Sequence, residues 1–471
     1  MSESNAAAAA PDSVAEDTTI MDREDRLKQD FVDRVLDAVE AGEDEIARAL
    51  VAPLHPADVA DLIELARADE REGLVAALAG IVDADVLAEM NEHVRERLID
   101  EMEPQRLADF AAQLDTDDAV ALLKDLDDDE QRAVLRAMEP DDRAAIEEAL
   151  SYPDESAGRL MQRDLIAVPQ HWTVAQAIDY LRSGDDLPTD FWEVFVVSPT
   201  HHPVGTCKLS TLLRSPGKIR VADIMLVDQT LIPVGMDQEE VALRFQKYAL
   251  ISAAVVDPSG RLVGMITVDD IVHIIQEEAG EDVLLLSGAG DGDINEPIQL
   301  TIRTRLSWLV VNLGTAILAA AVVGGFEAEI AKLAVLAVLM GIISGMGGNA
   351  GTQTLAVVVR ALATNQLTSS NTVRMVRREL VIALANGVVL ALITGGGTIL
   401  IYGNVRLGLV MGAAMIINNI VAGLSGILVP IGLEKMRIDP AVSSAVFVTM
   451  ATDVMGFFSF LGLAQLAGLA G

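Results

Sequence analysis

The sequence contains a single cysteine, Cys207, among 471 residues, and aromatic residues make up only 4% of the chain. One cysteine excludes a disulfide within the chain, which fits a reducing compartment. The sequence has no P-loop, no histidine–cysteine metal cluster and no nucleophile–base pattern, so we predict that the protein is not an enzyme. No basic segment precedes an apolar run near the N-terminus, and we therefore expect no cleavable signal peptide.

Basic residues are also scarce, since 34 Lys and Arg stand against 71 Asp and Glu, a net charge of −37. From Arg303 onward there are only six acidic residues and ten basic ones, so the negative charge is concentrated in the first 302 residues. A field of this sign repels nucleic acid and attracts cations. We therefore predict an acidic soluble part joined to an apolar part, and no nucleic-acid partner.

The acidic part begins with a segment, 1–22, that lacks apolar periodicity and is predicted to be a disordered tail. Residues 23–150 carry apolar residues at helical spacing. The stretch that starts at Pro56 has a weak echo at Pro104, which is typical of stacked helical hairpins. We predict an all-α superhelical domain over 23–150.

From residue 151 the pattern changes to helix, two strands, helix, and it occurs twice. This alternation predicts two α/β modules, 151–216 and 217–277, followed by a polar connecting segment, 278–302.

The last part of the chain, 303–471, contains five apolar spans, each near the ~20 residues that a bilayer requires. The spans are 307–326, 333–359, 380–402, 407–433 and 441–470. None contains Lys or Arg, so we predict a five-helix transmembrane domain. If the acidic part is cytoplasmic, eight basic residues flank the spans inside and two outside, so the positive-inside rule predicts an external C-terminus.

Asp453 lies near the middle of the last span, where a carboxylate is costly unless it faces protein, water or a cation. An ion pair with Lys or Arg has no partner within the spans. A protonated Asp bonded to Ser or Thr is the other structural explanation. We favour a functional carboxylate on the ion path, with Thr449 on the same helix face four residues earlier.

The second span contains the polar, glycine-rich run Gly345–Gln353, which we interpret as a break in the helix that exposes carbonyls to a water-filled path. Close packing of helices through small residues is the alternative. In the fourth span, Asn418 and Asn419 fit a pore role and interhelical hydrogen bonding equally well.

The polar groups of the membrane part are carboxylate, amide, hydroxyl and carbonyl oxygens, because all six histidines and the cysteine lie in the acidic part. Such oxygens suit hard cations, namely Mg²⁺ or Ca²⁺, and also Mn²⁺. One carboxylate cannot strip Mg²⁺ of its waters, so we expect a largely hydrated ion.

Four motifs in this order resemble the MgtE magnesium channel and transporter family over essentially the whole chain. They are Tyr152–Met161, Gly260–Gly264 with Thr267–Asp270, Gly347–Gln353, and Thr452-Asp453 with Gly456-Phe457. The resemblance implies a homodimer in the cell membrane, with an N-terminal helical domain, a tandem CBS pair, a connecting plug helix and five transmembrane helices. It also implies Mg²⁺ entry into the cytoplasm and closure by cytoplasmic Mg²⁺.

The resemblance assigns roles to individual residues. Its pore positions correspond here to Asp453, Asn349, Thr449, Gly348 and Thr352. Its regulatory Mg²⁺ positions correspond to Asp270, Asp237, Glu239, Glu278, Glu281, Asp282 and Asp117. ATP at the CBS pair is possible by analogy, although no residue pattern here defines an adenine site.

Two other classes compete with a gated Mg²⁺ channel. A CBS-regulated secondary transporter of another solute or divalent cation would be expected to show internal repeats and several intramembrane ionisable groups, and the spans show neither. A membrane receptor would leave the intramembrane carboxylate unexplained.

Overall fold

A computed structural model of the chain describes residues 20–469, apart from 24–25, 101, 125, 184–186, 189–190, 289–291, 293, 369 and 443 and the side chain of Asp282. The predicted tail lies outside the described residues up to residue 19. The chain forms two compact units. One contains residues 1–241 and 250–268, and the other contains 242–249 and 269–471.

The N-terminal part of the first unit is built from ten short helices. They are α1 (Gln29–Glu40), α2 (Asp44–Val51), α3 (Pro56–Leu65), α4 (Ala68–Ala77), α5 (Ala84–Ala88), α6 (Glu92–Ile99), α7 (Pro104–Ala111), α8 (Thr116–Lys124), α9 (Asp128–Ala137) and α10 (Pro140–Leu150). Proline begins α3, α7 and α10, where its missing N–H costs nothing. Ala60 of α3 and Ala108 of α7 each lie four residues after the proline that begins their helix, and both are buried. The similarity between the two stretches of sequence therefore corresponds to two similar helices.

Two α/β modules follow, and they have the same topology. The first contains β1 (Ala167–Pro169), α11 (Val174–Ser183), β2 (Glu193–Val197), β3 (Pro203–Lys208) and α12 (Leu209–Arg214). The second contains β4 (Leu231–Pro233), α13 (Gln238–Tyr248), β5 (Ser252–Val256), β6 (Leu262–Thr267) and α14 (Val268–Ser287). In each sheet a parallel pair is followed by an antiparallel pair with a register shift at its end. The predicted duplication is confirmed.

Helix α14 continues without interruption from the second module to Ser287. The expected boundary at residue 277 therefore lies inside one helix, which both segments share. Leu285 and Leu286 near its end pack against a membrane-domain cluster that includes Leu355 and Val448. The connecting segment thus ends on the transmembrane core.

The membrane part contains α15 (Ile298–Gly324), α16 (Glu327–Lys332), α17 (Val335–Ala363), α18 (Thr372–Tyr402), α19 (Val405–Lys435) and α20 (Ser444–Leu466). All except α16 are long and apolar enough to cross a bilayer, with mean hydropathies of 1.4 to 2.1. Helix α19 is the most buried of the five and α15 the least, so α19 is the centre of the bundle. The five predicted spans are confirmed.

The predicted break in the second span is wrong, because α17 is one continuous helix through Gly345–Gln353. The glycines instead permit close approach between helices. A Cβ on Gly351 would lie 2.5 Å from Val448 Cγ1, and one on Gly426 would lie 2.8 Å from Gly351 O. The small-residue alternative therefore explains Gly347 and Gly351, whereas Gly345 and Gly348 meet no atom within 4 Å, and the backbone carbonyls remain in the helix.

Candidate functional site

The carboxylate of Asp453 lies half-buried on α20 and accepts a hydrogen bond of 2.6 Å from Ser344 Oγ on α17. Among the described residues Asp453 forms no ion pair. The donor is a neutral hydroxyl, and no cationic side chain in the described part of the chain balances the charge of this carboxylate. This arrangement fits a site that attracts a cation.

The other predicted pore residues lie on α17 and α20. Asn349 and Thr352 are exposed in the single chain, whereas Gly348 and Thr449 are partly buried. Thr352 Oγ1 donates to the carbonyl oxygens of Gly348 and Asn349, both at 3.1 Å, so its hydroxyl is satisfied within its own helix. The exposed amide of Asn349 is a polar group that this face offers beyond its own helix.

The side chain of Asn418 lies between helices and not on an exposed face. Its side chain is fully buried, and Nδ2 donates to Ile343 O of α17 at 2.8 Å. Asn419 is equally buried and donates to Met415 O of its own helix at 3.0 Å. Of the two interpretations left open, interhelical hydrogen bonding holds for Asn418.

Ser344 was missed by the sequence analysis, although it touches the candidate carboxylate. Its only sequence signal is a hydroxyl inside an apolar span, one residue before the glycine-rich run. The partner is 109 positions away in the chain, so nothing local indicates the contact.

Among the predicted regulatory residues of the first unit, Asp237 is exposed and its Oδ1 accepts the backbone N–H of Glu239 at 3.0 Å. It therefore caps α13, a role that any helix start can require. Glu239 is partly buried in the first turn of that helix. Asp117 is 9% exposed, so its carboxyl group does not lie on the open surface of the chain.

Asp118, not selected from the sequence, lies beside several carboxylates of α5 and α8. Burial, followed by the charges of Asp115 and Glu89, raises its pKa to about 6, while Arg95 opposes the shift. The crowding of like charges predicts a region whose stability depends on pH and on cations.

Asp118→Asn is expected to stabilise α8 at neutral pH. The folded state holds the Asp118 proton more tightly than the unfolded chain does. The free energy of unfolding of the parent therefore falls as the pH rises from about 4 to 6, and it stays lower at higher pH. The raised pKa of Asp118 predicts that the variant is more stable by about 2 kcal/mol at pH 7.5. Hydrogen exchange of the α8 amides in the full-length protein measures it.

The exposed Asp128→Asn is the matched control and is expected to leave α8 protection unchanged. The gain from Asp118→Asn should shrink at pH 5, where the parent carboxyl is largely protonated. An equal gain at both pH values would contradict the charge-based explanation.

In the second unit, Asp270, Glu278 and Glu281 all lie on α14, the first two partly buried and the third exposed. The side chain of Asp282 lies outside the described part of the chain. No group of three or more His, Cys, Asp or Glu among the described residues is placed to hold a metal ion. Among the described residues, one chain therefore does not gather the predicted regulatory carboxylates into a metal site.

The fold and the site define a multi-pass membrane protein with a tandem CBS pair and a carboxylate inside its transmembrane bundle. Three family profiles match the chain: "Divalent cation transporter" over residues 340–463, "MgtE intracellular N domain" over 54–155 and "CBS domain" over 221–277. The chain belongs to the MgtE family. The resemblance and the fold class expected from the sequence are confirmed.

Two relatives are described as "Magnesium transporter MgtE". That of Enterococcus faecalis is 33% identical over 319 residues, covering 67% of this chain and 70% of the relative. That of Bacillus subtilis is 28% identical over 418 residues, covering 88% of this chain and 93% of the relative. A solved structure of the cytosolic domain of the Mg²⁺ channel MgtE in complex with ATP is 26% identical, with a TM-score of 0.48, and covers 52% of this chain and 99% of that chain.

Proposed function

We propose that this protein carries Mg²⁺ across the cell membrane into the cytoplasm, through a path that passes Asp453, and that cytoplasmic Mg²⁺ closes the path. The observation that carries the proposal is the Asp453 carboxylate, which accepts a hydrogen bond from Ser344 and has no cationic partner among the described residues. The relatives described as magnesium transporters support the choice of ion.

The chemistry around the carboxylate favours a hydrated ion. Along α20 and α17 there are hydroxyl and amide oxygens besides this carboxylate, and such oxygens are the ligands of hard cations. Mg²⁺ loses its waters reluctantly, and one carboxylate cannot replace a full coordination shell. The ion therefore passes with most of its water, attracted by charge and bonded through water to polar groups such as Asn349.

The proposal includes a homodimer. In the single chain, Gly345, Asn349 and Thr352 form an exposed face of α17, and the amide of Asn349 would be costly against lipid. A second copy of the chain covers this face and supplies a second Asp453. Two carboxylates near one axis double the charge that a divalent ion meets.

The orientation follows from the loops. With the acidic part in the cytoplasm, eight basic residues flank the transmembrane helices on the inner side and two on the outer side. Mg²⁺ entering the cytoplasm then reaches the acidic part, whose carboxylates respond to its concentration.

The gate involves α14. This helix carries Asp270, Glu278, Glu281 and Asp282, and its end packs on the cluster that contains Val448, five residues before Asp453. Carboxylates repel one another without counter-ions, and divalent ions that bind between acidic faces favour a compact arrangement. Because one chain holds no preformed site among the described residues, such ions bind where separate acidic faces approach.

The proposal is tested by Mg²⁺ uptake into liposomes that contain the purified parent protein, with a Mg²⁺-sensitive dye inside. We expect uptake down the gradient when the acidic part faces a low Mg²⁺ concentration, and little uptake when it faces a high one. No Mg²⁺ uptake at low internal Mg²⁺ would contradict the proposal, and the other-solute transporter would replace it.

A variant with Asp270, Glu278, Glu281 and Asp282 changed to Asn or Gln is expected to stay open at an internal Mg²⁺ level that closes the parent. Neutral side chains remove the cation ligands, so Mg²⁺ binding no longer stabilises the closed arrangement. Neutralising the exposed Asp127, Asp128, Asp129 and Glu130 of the helical domain makes an equal charge change and is the control. Closure of the fourfold α14 variant at the parent Mg²⁺ level would show that these residues are not the sensor.

A further inference from the structure

A buried amide contacts α17 next to the Ser344–Asp453 pair. Asn418 Nδ2 donates to Ile343 O at 2.8 Å, and Ile343 directly precedes Ser344 in the chain. Two consecutive residues of α17 are therefore bonded to two different helices, Ile343 to α19 and Ser344 to α20. The position of the Ser344 hydroxyl depends on both contacts.

Two glycines hold the amide between α17 and α20. A Cβ on Gly347 would lie 2.1 Å from Asn418 Nδ2, and a Cβ on Gly456 would lie 3.0 Å from the same atom. Gly347 is three residues after Ser344, and Gly456 is three residues after Asp453. Residues at this spacing share a helix face, so the faces that contact the amide also carry the hydroxyl and the carboxylate.

The amide is not explained by stability. Asn418 is fully buried, and its Oδ1 has no hydrogen-bond partner in the part of the chain that the structure describes. A buried carbonyl oxygen without a donor costs free energy. The core cluster formed by α17, α18, α19 and α20 contains apolar side chains such as Leu339, Ile343 and Met415, which carry no such cost. Asn419 is equally buried and its Oδ1 also lacks a partner among the described residues, so what distinguishes Asn418 is its donor bond to a second helix.

We propose that Asn418 is a positioning residue for the ion site, which acts through Ser344. Its hydrogen bond to Ile343 O fixes α17 against α19, so that the Ser344 hydroxyl donates to Asp453 Oδ1 and the second carboxylate oxygen, Oδ2, faces the water shell of the ion. This inference rests on the proposed role of Asp453 in Mg²⁺ conduction.

The test compares Ser344→Ala, Asn418→Ala and the double variant with the parent, by Mg²⁺ flux into liposomes over a range of Mg²⁺ concentrations. We expect the half-saturating Mg²⁺ concentration to rise about tenfold in each single variant, the size of a lost charge-assisted hydrogen bond. The half-saturating Mg²⁺ concentration of the double variant should not exceed the higher of the two single-variant values, because both changes remove the same positioned hydroxyl. Ser344→Thr keeps the hydroxyl and should retain the parent value.

Asn419→Ala is the matched control. It removes the same amide at the neighbouring position, equally buried, but its donor bonds only to Met415 O of the same helix. We expect it to leave the half-saturating Mg²⁺ concentration unchanged. Flux is normalised to folded protein, measured as the monodisperse fraction in size-exclusion chromatography.

Each contrary result has its own meaning. If Ser344→Ala has the half-saturating Mg²⁺ concentration of the parent while Asp453→Asn is inactive, the inference is overturned and the proposed function stands. A Mg²⁺ flux in Asp453→Asn equal to that of the parent would contradict the proposed function itself. Multiplicative effects in the double variant would mean that Asn418 does not act through Ser344, and less folded protein with unchanged half-saturation would leave Asn418 a packing role only.

Discussion

Asp453→Asn should reduce Mg²⁺ flux into liposomes at least about 100-fold while the protein still folds. Asparagine has the shape of aspartate, and its Oδ1 can still accept the hydrogen bond from Ser344. The negative charge is lost, and an NH₂ donor replaces the oxygen Oδ2. One unit charge about 4 Å from a divalent ion contributes on the order of 8 kcal/mol before screening, at an effective dielectric constant of about 20.

Two further variants separate charge from other effects. Asp453→Glu keeps the charge on a longer side chain and is expected to retain part of the flux. Glu434→Gln removes an exposed carboxylate at the end of α19 and should leave the flux unchanged. Flux that is the same in Asp453→Asn and the parent would exclude this carboxylate from the ion path.

Gly347→Ala should prevent α17, α19 and α20 from packing as they do in the parent. The new Cβ would lie 2.1 Å from Asn418 Nδ2, and Cγ and Oδ1 of the same amide lie at 2.9 and 3.1 Å. Overpacking of this kind costs about 1–3 kcal/mol or more, because a helix must shift or the amide must leave its position. We expect a lower melting temperature in detergent and a smaller monodisperse fraction.

The same structure predicts a rescue. Asn418→Ala removes all three atoms that the new Cβ meets, so the double variant Gly347→Ala/Asn418→Ala should melt at a higher temperature than Gly347→Ala alone. Gly396→Ala, on α18, meets no atom within 4 Å and should melt no lower than the parent. A double variant no more stable than Gly347→Ala would show that the clash lies elsewhere.

The transmembrane helices could be predicted from the sequence because the bilayer imposes a length and an apolar composition on each span separately. Strands β1 and β4 could not, since each has three residues and pairs with a strand beyond an intervening helix. The duplicated order of the two modules was visible without them.

The candidate site was predicted only in part. Asp453 could be found because a carboxylate in an apolar span is conspicuous on its own. Ser344 could not, since its importance comes from a residue 109 positions away. The glycines of α17 were misinterpreted for the same reason, because whether a glycine breaks a helix or admits a neighbour depends on that neighbour, here Asn418 at Gly347 and Val448 at Gly351.

Helix α14 has no break along its length, so it moves as one rigid element. Its 20 residues span about 30 Å as one rod, from the last strand of the second module to the leucines that touch the membrane core. A rod without a joint does not absorb a small rotation at one end, but converts it into a larger displacement at the other. In the proposed gating, a displacement of Asp270 would therefore be passed along one helix to Leu285 and Leu286 and would not be lost in a loop.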